Sequence, residues 1–169
     1  VLVARGEEIL AERTSSGERE HAAMLVVFIE DVLMSAGVKA NELDGVVVSK
    51  GPGSYTGLRI GVATAKGICY TLNKKLMAID TPLSMASGYS MEHPELPEDA
   101  VLIPMIDARR MEVYGAALDK TLNYLEPIRA EILTPDSFIQ NPARPHFIFG
   151  DAAAKSREVF KCQSFVNVD

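Results

Sequence analysis

The chain has 169 residues, of which 47% are hydrophobic, and a formal net charge of −6. It is long enough to bury the core of one domain or of two small ones, and no apolar run approaches the ~20 residues that span a membrane. The acidic charge, without a cluster of lysines or arginines, argues against binding nucleic acid alone, and two distant cysteines favour a reducing compartment, here the cytoplasm.

Strands and helices alternate in the first half. A turn at Arg5-Gly6 separates two short strands, and the helix after them ends at Gly37. A β-branched strand then leads through a glycine-rich loop into a long helix that ends near Asn73. The predicted strands are 1–4, 8–13, 46–49 and 76–79, and the predicted helices are 20–36, the long helix after the loop, and 82–90.

The second half begins after residues 91–99, which contain two prolines and four carboxylates and predict a linker. Three strands follow, and then a short helix with Thr134 as its cap and Pro135 at its first position. A strand, a helix and a last strand complete this half. The predicted strands are 101–106, 111–118, 125–133, 146–149 and 164–168, and the second helix is 152–160.

The two halves have the same order of elements if the first has lost its leading strand and the second its final helix. The chain also begins at Val1 and not at a methionine. The pattern therefore predicts two related α/β units, residues 1–99 and 100–169, in a chain that is clipped at both ends.

The loop Gly51–Gly53 has two interpretations. It stands between a buried strand and a helix N-terminus, where free backbone N–H groups bind anions, so Gly51, Gly53 and Ser54 are candidates to hold a phosphate. However, the Gly-Lys-Ser/Thr of a P-loop is absent, and the spacing is not that of a dinucleotide fingerprint. Gly51-Pro52-Gly53 is also common turn chemistry, so a purely structural turn is the favoured interpretation.

A row of small residues marks the long helix. Gly53, Gly57, Gly61, Ala65 and Cys69 recur every four residues, a spacing that places side chains along one helix face. Glycine inside a helix costs about 1 kcal/mol relative to alanine, and a close approach of another helix can offset this cost. The row is therefore a candidate contact surface, with packing on the protein's own sheet as the alternative.

The first helix is apolar on all sides. Residues 22–29 are apolar at eight consecutive positions, although a helix on a sheet needs only one apolar stripe. This pattern predicts contacts on opposite sides, with the sheet and with another helix or chain. We expect Ala22, Leu25, Val26 and Ile29 to lie at this interface together with the small-residue row. Burial under segments missing at the termini is the alternative.

The sequence contains no evident catalytic constellation. The three histidines lack the spacing of metal ligands, and neither cysteine has a neighbouring base. Asp107, followed by Arg109 and Arg110, is a candidate to meet a ligand, although a salt-bridged hairpin turn is the favoured interpretation. Asp151 is a second such position, with helix capping as the alternative. The sequence therefore favours a protein without catalytic residues or a metal site of its own.

Four segments together resemble the bacterial TsaB (YeaZ) family: GPGSYTGLRIGVATAKG (51–67), IDARRMEVY (106–114), REHAAML (19–25) and Gly150-Asp151. The resemblance covers nearly the whole chain. It implies two ribonuclease-H-like units of the acetate kinase, hsp70 and actin superfamily, with mixed sheets and flanking helices. The family usually begins with a strand and an acidic Asp/Glu-Thr-Ser turn, which this sequence lacks.

The resemblance also implies a role in making threonylcarbamoyladenosine next to the anticodon of tRNA. In this family TsaB pairs with and supports its paralogue TsaD, the transferase, and TsaE supplies an ATPase. TsaD holds its metal with a His-x-x-x-His motif, and the corresponding residues 81–87 contain no histidine. The resemblance therefore implies a non-catalytic partner that binds TsaD through a helical bundle.

Further expectations concern partners and cofactors. The resemblance implies a homodimer when the protein is alone, contact with tRNA only through the complex, and no intrinsic cofactor. ATP or ADP with magnesium, if bound, is expected at the interface with TsaD. The alternative function is an ATP-dependent small-molecule kinase or ATPase that uses a cleft between the units, with Asp107 and the loop Gly51–Ser54.

Overall fold

The computed structural model describes residues 1–15, 21–138, 141–160 and 165–167. The chain divides into two compact units. Unit 1 comprises Val1–Lys50 and Ser54–Ile79, and unit 2 comprises Gly51–Gly53 and Asp80–Asp169. Among the helices of these described ranges, none is long and apolar enough to cross a membrane. Both units combine strands and helices, so the predicted mixed α/β fold class is confirmed.

The described residues of unit 1 form two small sheets and two long helices. Its elements are β1 (Leu2–Arg5), β2 (Glu8–Glu12), α1 (His21–Ala36), a short 3-10 helix (Ala40–Glu42), β3 (Gly45–Ser49), α2 (Tyr55–Leu72) and β4 (Lys75–Ile79). β1 and β2 form an antiparallel hairpin, whereas β3 and β4 are parallel and pair residue by residue. α1 packs on β1, β2 and α2, and α2 packs on β3 and β4.

In the described residues of unit 2, one five-stranded sheet forms the centre. Its elements are α3 (Thr81–Glu92), β5 (Val101–Asp107), β6 (Glu112–Asp119), β7 (Tyr124–Ile132), β8 (His146–Phe149), α4 (Ala153–Val159) and β9 (Phe165–Asn167). The strand order is β7-β6-β5-β8-β9, with β5 antiparallel to β6 and parallel to β8. Successive side chains of β5 alternate between two cores, since Leu102 packs among residues of α3 and Ile103 among residues of α4. Both are fully buried.

The strand directions in the two units correspond. β1 and β2 are antiparallel like β6 and β7, and β3 and β4 are parallel like β8 and β9. In unit 2, β5 lies between these two pairs, whereas no strand joins them among the described residues of unit 1. The strand pairs of unit 1 therefore match those of unit 2 in direction, although α1 connects β2 to β3 and a turn follows β7.

Residues 91–99 are not a free linker. α3 continues to Glu92, so the first two of these residues are helical. Leu96 is buried at 4% exposure, and its carbonyl oxygen accepts a hydrogen bond of 2.7 Å from Lys120 Nζ. α3 itself packs on β5 and β6, which places it in unit 2. The predicted ribonuclease-H-like domains, 1–99 and 100–169, stay a prediction.

The helix predicted at Thr134-Pro135 is wrong over the described residues, which form a turn. The N–H of Ser137 donates to the carbonyl oxygen of Thr134 at 3.0 Å, and the Thr134 N–H donates to Ser137 Oγ at 2.9 Å. Phe138 then adopts a left-handed φ of 60°, which a helix cannot continue through. Its ring is buried against Gly115 of β6, where a β-carbon would lie 2.7 Å from the ring. This long-range contact overrides the local helix signal.

His146 is buried at the start of β8, with 1% of its surface exposed. Burial lowers the pKa of its imidazole below 6.5, and the charge of Arg144 acts in the same direction, while a hydrogen bond to the Arg144 backbone opposes both. Because the unfolded state then binds the proton more readily, the free energy of unfolding should fall as the pH drops from about 7 to about 5. His146→Gln should make the free energy of unfolding less dependent on pH in this range. Urea unfolding across that range measures the effect. A variant whose free energy of unfolding falls as steeply as that of the wild type would contradict it.

Candidate protein-binding surface

α1 exposes an apolar stripe. Val26 is 55% exposed, Val27 is 42% exposed and Met34 is 77% exposed, and Glu30 is exposed between them. At about 100° per residue, these four positions fall within an arc of about 100° around the helix axis. We call these four residues the α1 stripe. Exposed apolar side chains that cluster on one face are typical of protein-binding sites.

The opposite side of α1 packs inside unit 1. Val32 is 1% exposed and lies roughly 180° from the middle of the α1 stripe. Leu25 and Ile29, both predicted for the interface, are partly buried, whereas Val26 is at the surface. The side chain of Ala22 lies outside the described part of the chain. α1 therefore carries apolar residues on two opposite sides, one packed within unit 1 and one exposed.

The outward side of α2 carries two tyrosines. Tyr55 is 75% exposed and Tyr70 is 92% exposed, and the Arg59 guanidinium lies over the Tyr55 ring at 5.3 Å from its centre. Lys66 and the small residue Ala63 are also exposed. These five positions fall within an arc of about 80°, and we call them the α2 face. Tyrosine and arginine are enriched in protein–protein interfaces, so this face suits binding as well.

The row of small residues on α2 does not follow one face. Four residues advance a helix by about 400°, so three steps from Gly57 to Cys69 turn the row by about 120°. Gly57 is exposed, but a β-carbon at Gly61 would meet the side chain of Val48 at 3.8 Å. Ala65 and Cys69 are buried, at 5% and 7% exposure. From Gly61 onward the row thus packs on the protein's own sheet, which is the alternative that the sequence leaves open.

The loop residues predicted to hold a phosphate have structural partners. Ser54 Oγ accepts a hydrogen bond of 3.4 Å from the Gly57 N–H and so caps α2. The carbonyl oxygen of Gly51 accepts a hydrogen bond of 2.9 Å from the Thr81 N–H at the start of α3. Around Gly53, a β-carbon would find no atom within 4 Å. These contacts are those of a turn and a cap, and phosphate binding by the loop stays a prediction.

Asp107 lies in a salt-bridged hairpin, as the sequence favours. Its Oδ1 accepts hydrogen bonds of 2.5 Å from Lys155 Nζ and from the Arg109 N–H. The hydrogen bond from Lys155 is the largest cause that lowers the pKa of Asp107, followed by that from Arg109. The Asp107 N–H donates to Asp151 Oδ1 at 2.9 Å, so Asp151 is also engaged. The sequence did not identify Lys155 as the partner, because the contact joins residues far apart in the chain.

A metal-binding site finds little support among the described side chains. Within residues 1–15, 21–138, 141–160 and 165–167, no three histidine, cysteine, aspartate or glutamate side chains are grouped to hold a metal. The first turn of α3 presents Thr81, Pro82 and Ser84. The prominent features that remain are the α1 stripe and the α2 face.

Sequence analysis missed part of these two surfaces. Val27 and Met34 of the α1 stripe and Tyr55 and Tyr70 of the α2 face were not predicted to lie at an interface. The spacing of Tyr55, Arg59, Lys66 and Tyr70 does contain the signal, since positions 4, 11 and 15 residues along a helix return to the same side. The small residues, by contrast, lie from Gly61 onward on the side of α2 that packs on β3 and β4.

Comparisons with known proteins identify relatives over most of the chain. A family model described as TsaD, tRNA N6-adenosine threonylcarbamoyltransferase, matches residues 8–143. The tRNA threonylcarbamoyladenosine biosynthesis protein TsaB of Bacillus subtilis is 30% identical over 128 residues, which are 76% of this chain and 53% of that protein. Its Escherichia coli namesake is 29% identical over 105 residues, which are 62% of this chain and 44% of that protein. The chain thus spans about half the length of these curated relatives.

Two solved structures from Pseudomonas aeruginosa share the fold. One, described as an uncharacterized protein with similarity to peptidase YEAZ, has a TM-score of 0.70 at 24% sequence identity, over 89% of this chain and 69% of that chain. The other, YeaZ, has a TM-score of 0.68 at 23% identity, over 88% of this chain and 69% of that chain.

Proposed function

The chain belongs to the TsaB (YeaZ) family of TsaD-like proteins, and we propose that it supports a TsaD-like transferase in the threonylcarbamoyladenosine modification of tRNA. In this role the protein is a non-catalytic partner. The modified adenosine lies next to the anticodon, and the transferase carries out the chemistry.

The exposed α1 stripe carries this proposal. Val26, Val27 and Met34 place apolar surface in water on a helix whose other side is already packed. Burying such surface against a partner is favourable by about 25 cal/mol per Å² of apolar area. α2, which bears the exposed tyrosines, packs directly against α1. A helix or helix pair of the transferase is the proposed occupant, so that the two proteins associate through a helical bundle.

The proposed mechanism is a population shift. A partner that binds the competent state of the transferase more tightly than its other states increases the fraction of that state. The effect needs differential binding and no catalytic residue on this chain. The net charge of −6 fits a subunit that leaves contact with tRNA to other members of the complex.

Additional partners and cofactors belong to the same proposal. A TsaE-like ATPase joins the complex, and the protein forms a homodimer through the same helices when the transferase is absent. ATP or ADP with magnesium binds at the interface with the transferase, and the complex works in the cytoplasm. The resemblance to the family supports these partners and cofactors.

The alternative function, a small-molecule kinase or ATPase, is not supported by the names of the relatives. The contacts of Asp107 with Lys155 and of Gly51 with Thr81 are structural ties. Calorimetry with ATP and magnesium on the isolated chain separates the two functions. Tight binding with turnover would favour the enzyme, and no turnover is expected.

Co-purification with a TsaD-like transferase tests the proposal. The transferase should be retained by the tagged chain, and threonylcarbamoylation of tRNA should require the chain when threonylcarbamoyl-adenylate is supplied. Absence of a complex, together with equal modification with and without the chain, would overturn the proposed function.

A further inference from the structure

The methionines of this chain differ widely in exposure. The chain has seven, all of which lie within the described ranges. Met34 in α1 is 77% exposed and Met91 in α3 is 80% exposed, whereas Met105 in β5 is fully buried. The other four are less exposed than the first two: Met77, Met111, Met24 and Met85. A thioether reacts with a dissolved oxidant only where the oxidant reaches its sulfur, so Met34 and Met91 should be oxidised first.

Only one of these two exposed methionines belongs to the candidate binding surface. Met34 is the most exposed apolar member of the α1 stripe. It lies two turns after Val26 and Val27 on the same side of the helix and extends the stripe by about 10–12 Å. Met91 stands near the end of α3, in unit 2. A chemical change at Met34 therefore alters the stripe, whereas the same change at Met91 does not.

Oxidation makes a methionine side chain polar. The thioether sulfur attacks one oxygen of hydrogen peroxide, the O–O bond breaks, and the leaving hydroxide takes the proton of the transferred oxygen to become water. The sulfur loses two electrons to the peroxide, and the product is a sulfoxide. A methionine sulfoxide reductase reverses the change: two thiols supply the electrons and become a disulfide, and the oxygen leaves as water. The modification is therefore reversible.

We propose that Met34 is a site of reversible oxidation by a peroxide, and that its sulfoxide blocks binding at the α1 stripe. The inference rests on the proposed function, in which a helix of the transferase covers this stripe. In the free protein the sulfoxide oxygen is hydrated, because Met34 is mostly exposed. Against an apolar partner the same oxygen loses its water. The stripe offers it no donor in exchange, since Val26 and Val27 are apolar and an ionised Glu30 carboxylate only accepts hydrogen bonds.

Oxidation and binding should therefore oppose each other. The sulfoxide should weaken binding to a TsaD-like transferase by about 10-fold or more, the usual effect of burying one polar group without a partner. In the complex, the transferase covers Met34 and should slow its oxidation. Met91 lies outside the proposed surface and should oxidise at the rate of the free chain.

Peroxide treatment of the chain alone, followed by removal of the peroxide, tests the proposal. Mass spectrometry locates the sulfoxides, and titration calorimetry with untreated transferase measures the affinity of each protein before and after treatment. The loss of affinity on treatment should be about 10-fold or more for the wild type and for the matched control Met91→Leu. It should be less than about 2-fold for Met34→Leu, in which leucine keeps a similar volume without the sulfur. A sulfoxide reductase should restore the affinity of the treated wild type.

The possible failures are distinguishable. An unchanged affinity of the wild type with Met34 fully oxidised would overturn the proposal, and so would an equal loss of affinity for Met34→Leu. Equal rates of Met34 oxidation with and without the transferase would also overturn it. An untreated chain that does not bind the transferase would instead overturn the proposed function, and this inference with it.

Discussion

Gly150→Val should lower the free energy of unfolding of unit 2 by roughly 2–5 kcal/mol, the sum of overpacking and left-handed strain. Gly150 has a φ of 105°, which side chains with a β-carbon rarely adopt. A β-carbon there would lie 2.3 Å from the carbonyl oxygen of Met105 and 2.6 Å from the methyl group of Met85. Since Met105 belongs to the buried central strand β5, a side-chain rotation cannot relieve the first of these clashes.

Gly88→Ala is the matched control for this substitution. Gly88 is exposed in α3 of the same unit, and a β-carbon there would meet no atom within 4 Å. Alanine should therefore stabilise the helix by about 0.5–1 kcal/mol. Urea unfolding followed by circular dichroism measures both variants. The free energy of unfolding of Gly150→Val could instead lie within about 1 kcal/mol of the wild-type value, about 20% of the largest expected loss. That result would contradict the close approach of Gly150 to the carbonyl oxygen of Met105.

Val26→Asp combined with Met34→Asp should weaken binding to a TsaD-like transferase by about 100-fold or more. Both residues are more than half exposed in the α1 stripe, so the charges remain hydrated in the free protein. In a complex they would be buried without partners, which is costly. Loss of a central interface residue costs about 2 kcal/mol, and 1.4 kcal/mol corresponds to about 10-fold in affinity. Titration calorimetry with the purified transferase measures the change.

Ile9→Asp serves as the matched control for the surface. Ile9 is 56% exposed in β2, nearly the same exposure as Val26, but it lies outside both helices. Ile9→Asp introduces the same kind of charge and should change the affinity for the transferase by less than about 3-fold. This corresponds to less than about 1 kcal/mol of binding free energy. Unchanged circular dichroism must accompany both variants. Equal loss of affinity for Ile9→Asp would show that added negative charge, and not the α1 stripe, determines binding.

Much of the fold follows from local sequence signals. Strand β8 has the predicted bounds, because His146–Phe149 is a short apolar run between a proline and a glycine. Gly37 ends α1 as predicted, with a φ of 66° and an N–H that donates to Met34 O at 3.1 Å. Asn73 ends α2 in the same left-handed conformation. Such signals act within a few residues, so a single sequence displays them.

Long-range contacts determine the features that the sequence did not predict. Phe138 leaves the predicted helix because its ring fills the space above Gly115, 23 positions earlier in the chain. Leu96 turns the predicted linker into an anchored segment because Lys120 binds its carbonyl oxygen. Pairing of this kind depends on how strands are arranged, which local pattern does not encode.

The candidate surface was predicted in outline and not in detail. The uninterrupted apolar run predicts that α1 has two apolar sides. Val32 and Val26 look alike in sequence, however, and only their packing distinguishes the buried Val32 from the exposed Val26. A spacing of four residues indicates one face of α2 only approximately, because each step of four residues turns the row by about 40°. Over the length of this helix that turn carries Ala65 and Cys69 into the core of unit 1.

Hydrogen–deuterium exchange of the chain with and without a TsaD-like transferase tests most directly whether α1 and α2 form the binding surface. Amides of His21–Ala36 and Tyr55–Leu72 should exchange more slowly in the complex, while those of β6 and β7 should be unaffected. A stable complex in which both helices exchange at the rate of the free protein, with protection elsewhere, would contradict the proposed surface.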